Sequence, residues 1–159
     1  MFTIRTARRE DVPEILSLIR EIAEYERLAH EVVATEPLID AAVFGPRPCV
    51  EVLIAESDGK VAAFALFFQN FSTFLGRPGI FLEDIFVRPQ FRRRGIGRAL
   101  FRRVAAIAVE RKCGRLEWAV LDWNKPALDF YRSLGAVAMS DWTTHRLTGP
   151  ALQRLAAEP

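Results

Sequence analysis

The stretch from Leu82 to Leu100 carries the residue types and spacing best suited to chemistry. A strand-like apolar run stops at Arg88-Pro89, passes through Arg92-Arg93-Arg94-Gly95-Ile96-Gly97, and enters a helical pattern. Glycines let the backbone come close to a ligand, exposed amide N–H groups point outward, and the helix dipole adds partial positive charge. Together they form an anion-binding device, and the guest expected for it is a pyrophosphate. Two familiar phosphate motifs are ruled out by single positions. Leu100 replaces the third glycine of a dinucleotide fingerprint, and no Gly-Lys-Ser/Thr follows, so this is not a P-loop either.

The elements that position this loop are legible from periodicity. Phe2–Ala7 reads as a first strand. Asp11-Val12-Pro13-Glu14 reads as a helix start, with Asp11 as cap and Glu14 completing a capping-box-like pair. Val12, Ile15, Leu16, Ile19, Ile22 and Ala23 then keep helical spacing to about Leu28. Thr35-Glu36-Pro37 opens a short second helix that stops near Gly45. Val50–Glu56 and Val61–Phe68 read as strands joined by Asp58-Gly59, a dipeptide that accepts the positive φ angles of a tight hairpin. Gly79–Val87 is the next strand, Gly97–Lys112 an amphipathic helix, and Leu116–Leu121 another strand. Asn124-Lys125-Pro126 opens a helix through Leu134, with Gly135 at its C′ position. Residues 136–147 are expected to return as a β-hairpin. The order β-α-α-β-β-β-α-β-α-β-β predicts an α/β (α+β) fold, a central mixed β-sheet with helices on both faces.

At 159 residues, with half of them hydrophobic and 26% charged, the chain is expected to be one domain with its own core. Net charge is only +2, from 22 basic and 20 acidic side chains. Nucleic-acid binding is therefore not expected, and the arginine run lacks aromatic platforms beyond Phe91. The imbalance is local. Residues 20–40 hold six acids against Arg20 and Arg27, whereas residues 88–103 carry arginines and no acid. Such a chain could take an anionic ligand at one place and a cationic one at another. Glu21, Glu24 and Glu26 read first as the solvated face of the first helix, with Arg20 and Arg27 as local partners. Cys49 and Cys113 make no disulfide framework, and neither they nor the two histidines show metal-ligand spacing. The longest uncharged run, Val61–Gly76, spans 16 residues and includes Gln69 and Asn70. That is short of the roughly 20 apolar residues of a bilayer span, and the N-terminus shows no signal-peptide pattern. The expected protein is soluble, reduced and cytoplasmic, with no membrane partner.

The element order, with Arg92-x-x-Gly95-x-Gly97 after the fourth strand, resembles the Gcn5-related N-acetyltransferases over about residues 3–147. Two segments carry the likeness: Leu82–Ala99, and Leu121–Ala136 with its Trp123-Asn124-Lys125-Pro126 and Phe130-Tyr131. Within that superfamily Tyr25-Glu26, Leu82-Glu83-Asp84 and Asn124-x-Pro126 most resemble the diamine (polyamine and thialysine) acetyltransferases. The resemblance implies acetyl-CoA as donor with no metal, a primary amine as acceptor, and a homodimer. It places Ile85, Phe86 and Val87 beside the pantetheine and acetyl group. Arg92, Arg93, Arg94, Gly95, Ile96, Gly97 and Arg98 would wrap the pyrophosphate, and Asn124, Pro126 and Ala127 would border the pantetheine arm. Tyr131 would sit near the thioester sulfur as the acid, and Glu83 on the amine side as base or anchor, with Asp84 its rival. Tyr25, Glu26, Glu117, Trp118 and Asp141 complete the implied substrate side.

These types suit the reaction. An alkylammonium with a pKa around 10 must lose a proton before it can attack. Glu83, through water, can hold the cation and accept that proton. A backbone N–H near Phe86–Val87 could stabilise the tetrahedral oxyanion, and Tyr131 can protonate the departing thiolate. Strict alternation would send Glu83 and Asp84 to opposite faces, so both can line one site only if the strand bulges. The rival readings are a protein lysine or N-terminal acceptor, and a CoA-binding regulator without turnover.

Overall fold

The computed structural model describes residues 1–159, which divide into two compact units, Met1–Leu121 and Asp122–Pro159. The first is built on a five-stranded sheet in the order β1-β2-β3-β4-β5. Its strands are β1 (Phe2–Thr6), β2 (Glu51–Ser57), β3 (Lys60–Ser72), β4 (Arg77–Val87) and β5 (Leu116–Trp118). The first four pair antiparallel, while β5 runs parallel to β4 and contacts only Ile80–Leu82. The sheet is therefore mixed, as expected. Asp58 and Gly59, both at positive φ, make the β2–β3 turn.

The continuous apolar run of β3 belongs to a central strand covered on both faces. Phe64 and Leu66 join Val52, Ile54 and Phe86 beneath α1 (Val12–Tyr25), which contributes Ile15, Leu18 and Ile22. Fully burying a side chain such as Phe64 is worth about 1.5–3 kcal/mol. Ala55, Ala63 and Ala65 alternate to the other face, fully buried. Their small side chains make room for α3 (Ile96–Glu110), which buries Leu100, Phe101, Val104 and Ile107. Phe101 meets Trp118 of β5 edge-on, with ring centroids 5.0 Å apart. The α2 helix (Glu36–Phe44) begins after Thr35, as the sequence suggested.

At the start of α1 the sequence reading is corrected. Asp11 stands at the cap position but makes no cap hydrogen bond into the helix. Its carboxylate accepts instead from the Arg8 backbone N–H at 2.7 Å and from Arg5 at 2.6 and 2.8 Å. Glu14 completes no capping box; it reaches Arg88. A guanidinium partner on a neighbouring strand outcompetes a neutral N–H for each carboxylate. The helix also ends at Tyr25, before Leu28, because Arg27 adopts positive φ.

In the second unit, α4 (Lys125–Ser133) opens with Asn124, whose side-chain oxygen accepts from the Ala127 N–H. It closes on Gly135 at φ +83°, with Gly135 N–H bonding to Arg132 and Ala136 N–H to Tyr131. That pair of bonds is a Schellman motif. The expected hairpin over 136–147 does not form; the segment is irregular. Tight hairpin turns need positive φ, and no residue between Gly135 and Gly149 adopts it. Beyond it lies a helix that sequence reading missed, α5 (Gly149–Ala156).

Candidate active site

The C-terminal half of β4 has an edge that no strand covers. Since β5 pairs only with Ile80–Leu82, residues 84–87 have a ladder partner on the β3 side alone. Ile85, Phe86 and Val87 thus keep one edge of backbone groups outside the sheet's own pairing. Between Leu66 and Phe67 the β3–β4 register slips: Phe67 faces Leu82, Leu66 faces Asp84, and Glu83 is the extra residue of a bulge. The bulge removes the alternation that would have separated the two acids. Asp84 shares the face of Leu66 and Phe86, beneath α1, while Glu83 is exposed.

Electrostatics follow from that placement. Burial, then the neighbouring Glu83 and Glu26 charges, push the Asp84 carboxyl up to about 6. Burial also raises Glu26 at the end of α1. None of these three carboxylates is paired with a cation of the chain. The first helix therefore does not present a uniformly solvated acidic face. Glu26 turns toward β4, and Glu21 pairs with Arg88 rather than with Arg20.

The basic loop sorts into engaged and available arginines. Arg92 donates to the Val87 carbonyl at 3.0 Å and lies over the rings of Tyr25 (5.1 Å) and Phe86 (5.6 Å). Arg94 pairs with Asp58 at 2.9 Å and covers Phe91. Arg93 and Arg98 have no such partner and project from the loop and the first turn of α3. Gly95, at φ +79°, caps α3, and a side chain built there would meet nothing within 4 Å. This open approach, the following helix N-terminus and two uncommitted guanidinium groups fit a diphosphate. Gly97 packs against Val87, which ties the helix start to the strand end. Glu117 is ion-paired with Arg115 at 2.7 Å and accepts from Asn70, and Trp118 packs on Phe101.

In the second unit Tyr131 lies on α4, its ring 5.7 Å from that of Phe130. Pro126 and Ala127 form the first turn of that helix below Asn124. Asp141 lies in the irregular segment and is exposed. Arg88, which sequence reading used only as a strand terminator, is the functional-region residue it missed. Its partners lie on α1, far away in sequence, and nothing local signals them.

The mixed sheet and the glycine-opened basic loop before α3 agree with the N-acetyltransferase class that the sequence resembles. Residues 12–136 match the Acetyltransferase (GNAT) family, and the chain belongs to it. It is 40% identical to a thialysine N-epsilon-acetyltransferase of Bos taurus, over 98% of this chain and 97% of that protein. An L-ornithine N5-acetyltransferase of Arabidopsis thaliana is 36% identical, covering 96% of this chain and 86% of its own length. Among solved structures, an integron cassette protein from the mobile metagenome of V. cholerae superposes with a TM-score of 0.81. It shares 26% identity and covers 99% of this chain and 98% of its own. The chain is an N-acetyltransferase-family enzyme with the mixed-sheet fold expected from its sequence.

Proposed function

We propose that this enzyme transfers the acetyl group of acetyl-CoA to a primary amine of a small cationic molecule. The preferred acceptor is the side-chain amine of a lysine- or ornithine-like amino acid, with diamines and polyamines in the same chemical class. One observation carries the reading: Glu83, Asp84 and Glu26 gather three carboxylates with no cation of the chain to balance them. An alkylammonium supplies the missing charge. The names of the Bos taurus and Arabidopsis relatives, thialysine and ornithine acetyltransferases, point to the same class.

In the proposed reaction Asp84 and Glu26 hold the ammonium, and the exposed Glu83 takes its proton through water. The neutral amine attacks the thioester carbon, the C–N bond forms, and the adduct's nitrogen gives up its extra proton to solvent. The C–S bond breaks, and the sulfur leaves with the electron pair. Tyr131 is the proposed donor of a proton to that sulfur, and it regains one from solvent. The thioester is already activated, so direct transfer asks for no metal. Binding a cation beside Asp84 favours its ionised form, so amine affinity should fall as pH drops below about 6. The family match across residues 12–136 supports reading both units as one catalytic domain. We assign the working form to a cytoplasmic homodimer without nucleic-acid or membrane partners. No helix is long and apolar enough to cross a membrane.

The test is CoASH release from acetyl-CoA with thialysine, ornithine, lysine, spermidine, short diamines and a lysine peptide. Turnover on a small amine, with Glu83→Gln losing kcat and Asp84→Asn losing amine affinity, is expected. Turnover confined to the peptide would replace this reading with a protein acceptor. Acetyl-CoA binding without any turnover would replace it with a regulator.

A further inference from the structure

Arg88 follows the last residue of β4 and precedes Pro89 and the basic loop, where an arginine would ordinarily be counted among the anion ligands. Its side chain is turned the other way. Nη1 donates to the Val61 carbonyl at 2.8 Å, and Nη2 donates to Glu14 at 2.8 Å and to Glu21 at 2.7 Å. Nε bridges both oxygens of Glu21 at 3.1 and 3.0 Å. Ser17 supports the arrangement by donating to Glu21 at 3.0 Å. All three guanidinium nitrogens are engaged, and the side chain is only 15% exposed. Four of its five N–H donors are committed within the protein, and little of the group faces solvent.

Glu14, Ser17 and Glu21 stand on one face of α1, spaced three and four residues apart, so the guanidinium spans two turns of the helix. At the same time the Arg88 backbone N–H bonds to the Ala62 carbonyl. One residue thus fixes the axial position of α1 against the end of β4 and the start of β3. The two ends of this assembly are the parts the reaction needs. Immediately beyond Arg88 is the loop that fits the diphosphate. At the far end of α1 is Tyr25, over which Arg92 of that loop lies at 5.1 Å.

We propose that Arg88 is a positioning residue for the acetyl-CoA loop: its grip on α1 sets the loop's shape before the cofactor arrives. The inference rests on the acetyl-CoA reading above. A loop that is already formed loses less entropy on binding. Releasing the grip should therefore weaken cofactor binding while leaving bound-state chemistry nearly intact, because Arg88 touches no reacting atom.

The test compares Arg88→Met, Arg88→Lys and Glu21→Gln with Arg5→Met. The last breaks a comparable part-buried ion cluster, Arg5 with Asp11 and Glu56, away from the loop. Arg88→Met is expected to raise both the Kd for CoA and the KM for acetyl-CoA about tenfold, with kcat changed little. Arg88→Lys and Glu21→Gln should fall between it and wild type. Arg5→Met should lower the melting temperature without moving either constant. Amide exchange over residues 92–97 of the unliganded protein should quicken several-fold in Arg88→Met, less in Arg88→Lys and Glu21→Gln, and not in Arg5→Met, a readout that stands whether or not the acceptor has been identified. Unchanged exchange in Arg88→Met overturns the proposal, as does an equal rise in KM for Arg5→Met. Wild type that binds CoA but turns over no amine would sink the acceptor reading and leave the exchange and Kd comparisons to decide this one.

Discussion

Asp84→Asn should make the protein more stable at neutral pH and less able to bind its amine. The carboxyl is held near 6 by burial, Glu83 and Glu26, against an ordinary value of 3.8. The folded state therefore keeps a proton that the unfolded chain has already lost. Between those two values the native state binds more protons, so its stability falls as pH rises from about 4 to 6 and stays lowered above. At 1.36 kcal/mol per unit, a shift of that size costs about 3 kcal/mol at pH 8 as an upper figure. An amide carries no charge to desolvate, so Asp84→Asn removes most of this cost. Urea unfolding of both proteins at pH 8 and at pH 4 measures it. The variant should be more stable by about 2–3 kcal/mol at pH 8 and nearly equal to wild type at pH 4. Equal stability at both pH values would show that the acid cluster is not strained, and the argument for a missing cation would fail. The amine should reproduce the gain: adding it at pH 8 should stabilise wild type and not the variant.

Other perturbations have distinct signatures. Tyr131→Phe should lower kcat about 10²–10⁴-fold while the KM for acetyl-CoA holds, as steady-state kinetics would show. Gly95→Ala meets no steric neighbour, so its effect comes from φ +79° alone: about 1–2 kcal/mol of stability by thermal melting, with weaker CoA binding by calorimetry. Arg5→Met leaves Asp11 partly buried without its guanidinium and should cost about 1–3 kcal/mol, discounted from a fully buried pair. Hydrogen bonding to Arg5 holds Asp11 below the ordinary carboxylate value. Its contribution is therefore present above about pH 4 and lost as pH falls through the folded value, a limb that Arg5→Met should erase from the acid-unfolding curve.

The loop and its flanking elements were legible because each is specified locally. The apolar run of β4, the positive-φ glycine at 95 and the periodic stripe of α3 lie within one short window. The Asp58-Gly59 turn and the Gly135 cap are equally local, since only a few residues accept those angles. The bulge at Glu83 was foreseen only as a condition. Period-two reading counts alternation and cannot see the extra residue, which is set by how β3 and β4 pair. The role of Arg88 was not legible for a related reason: its acidic partners lie 67 to 74 residues away, and their pairing exists only once α1 packs on the sheet. The hairpin expected over 136–147 does not form, and no residue of that segment adopts the positive φ of a tight turn. Glu14 and Glu21 looked like cap and solvated face because helix-local rules cannot weigh a guanidinium arriving from another element.

The most direct test of the whole account is to supply isotope-labelled acetyl-CoA and an equimolar mixture of thialysine, ornithine, spermidine and a lysine peptide, then identify the labelled product by mass spectrometry. The account predicts label on a primary amine of a small cation, formed far more slowly by Tyr131→Phe. Label on the peptide alone, or none at all with acetyl-CoA bound, would contradict it.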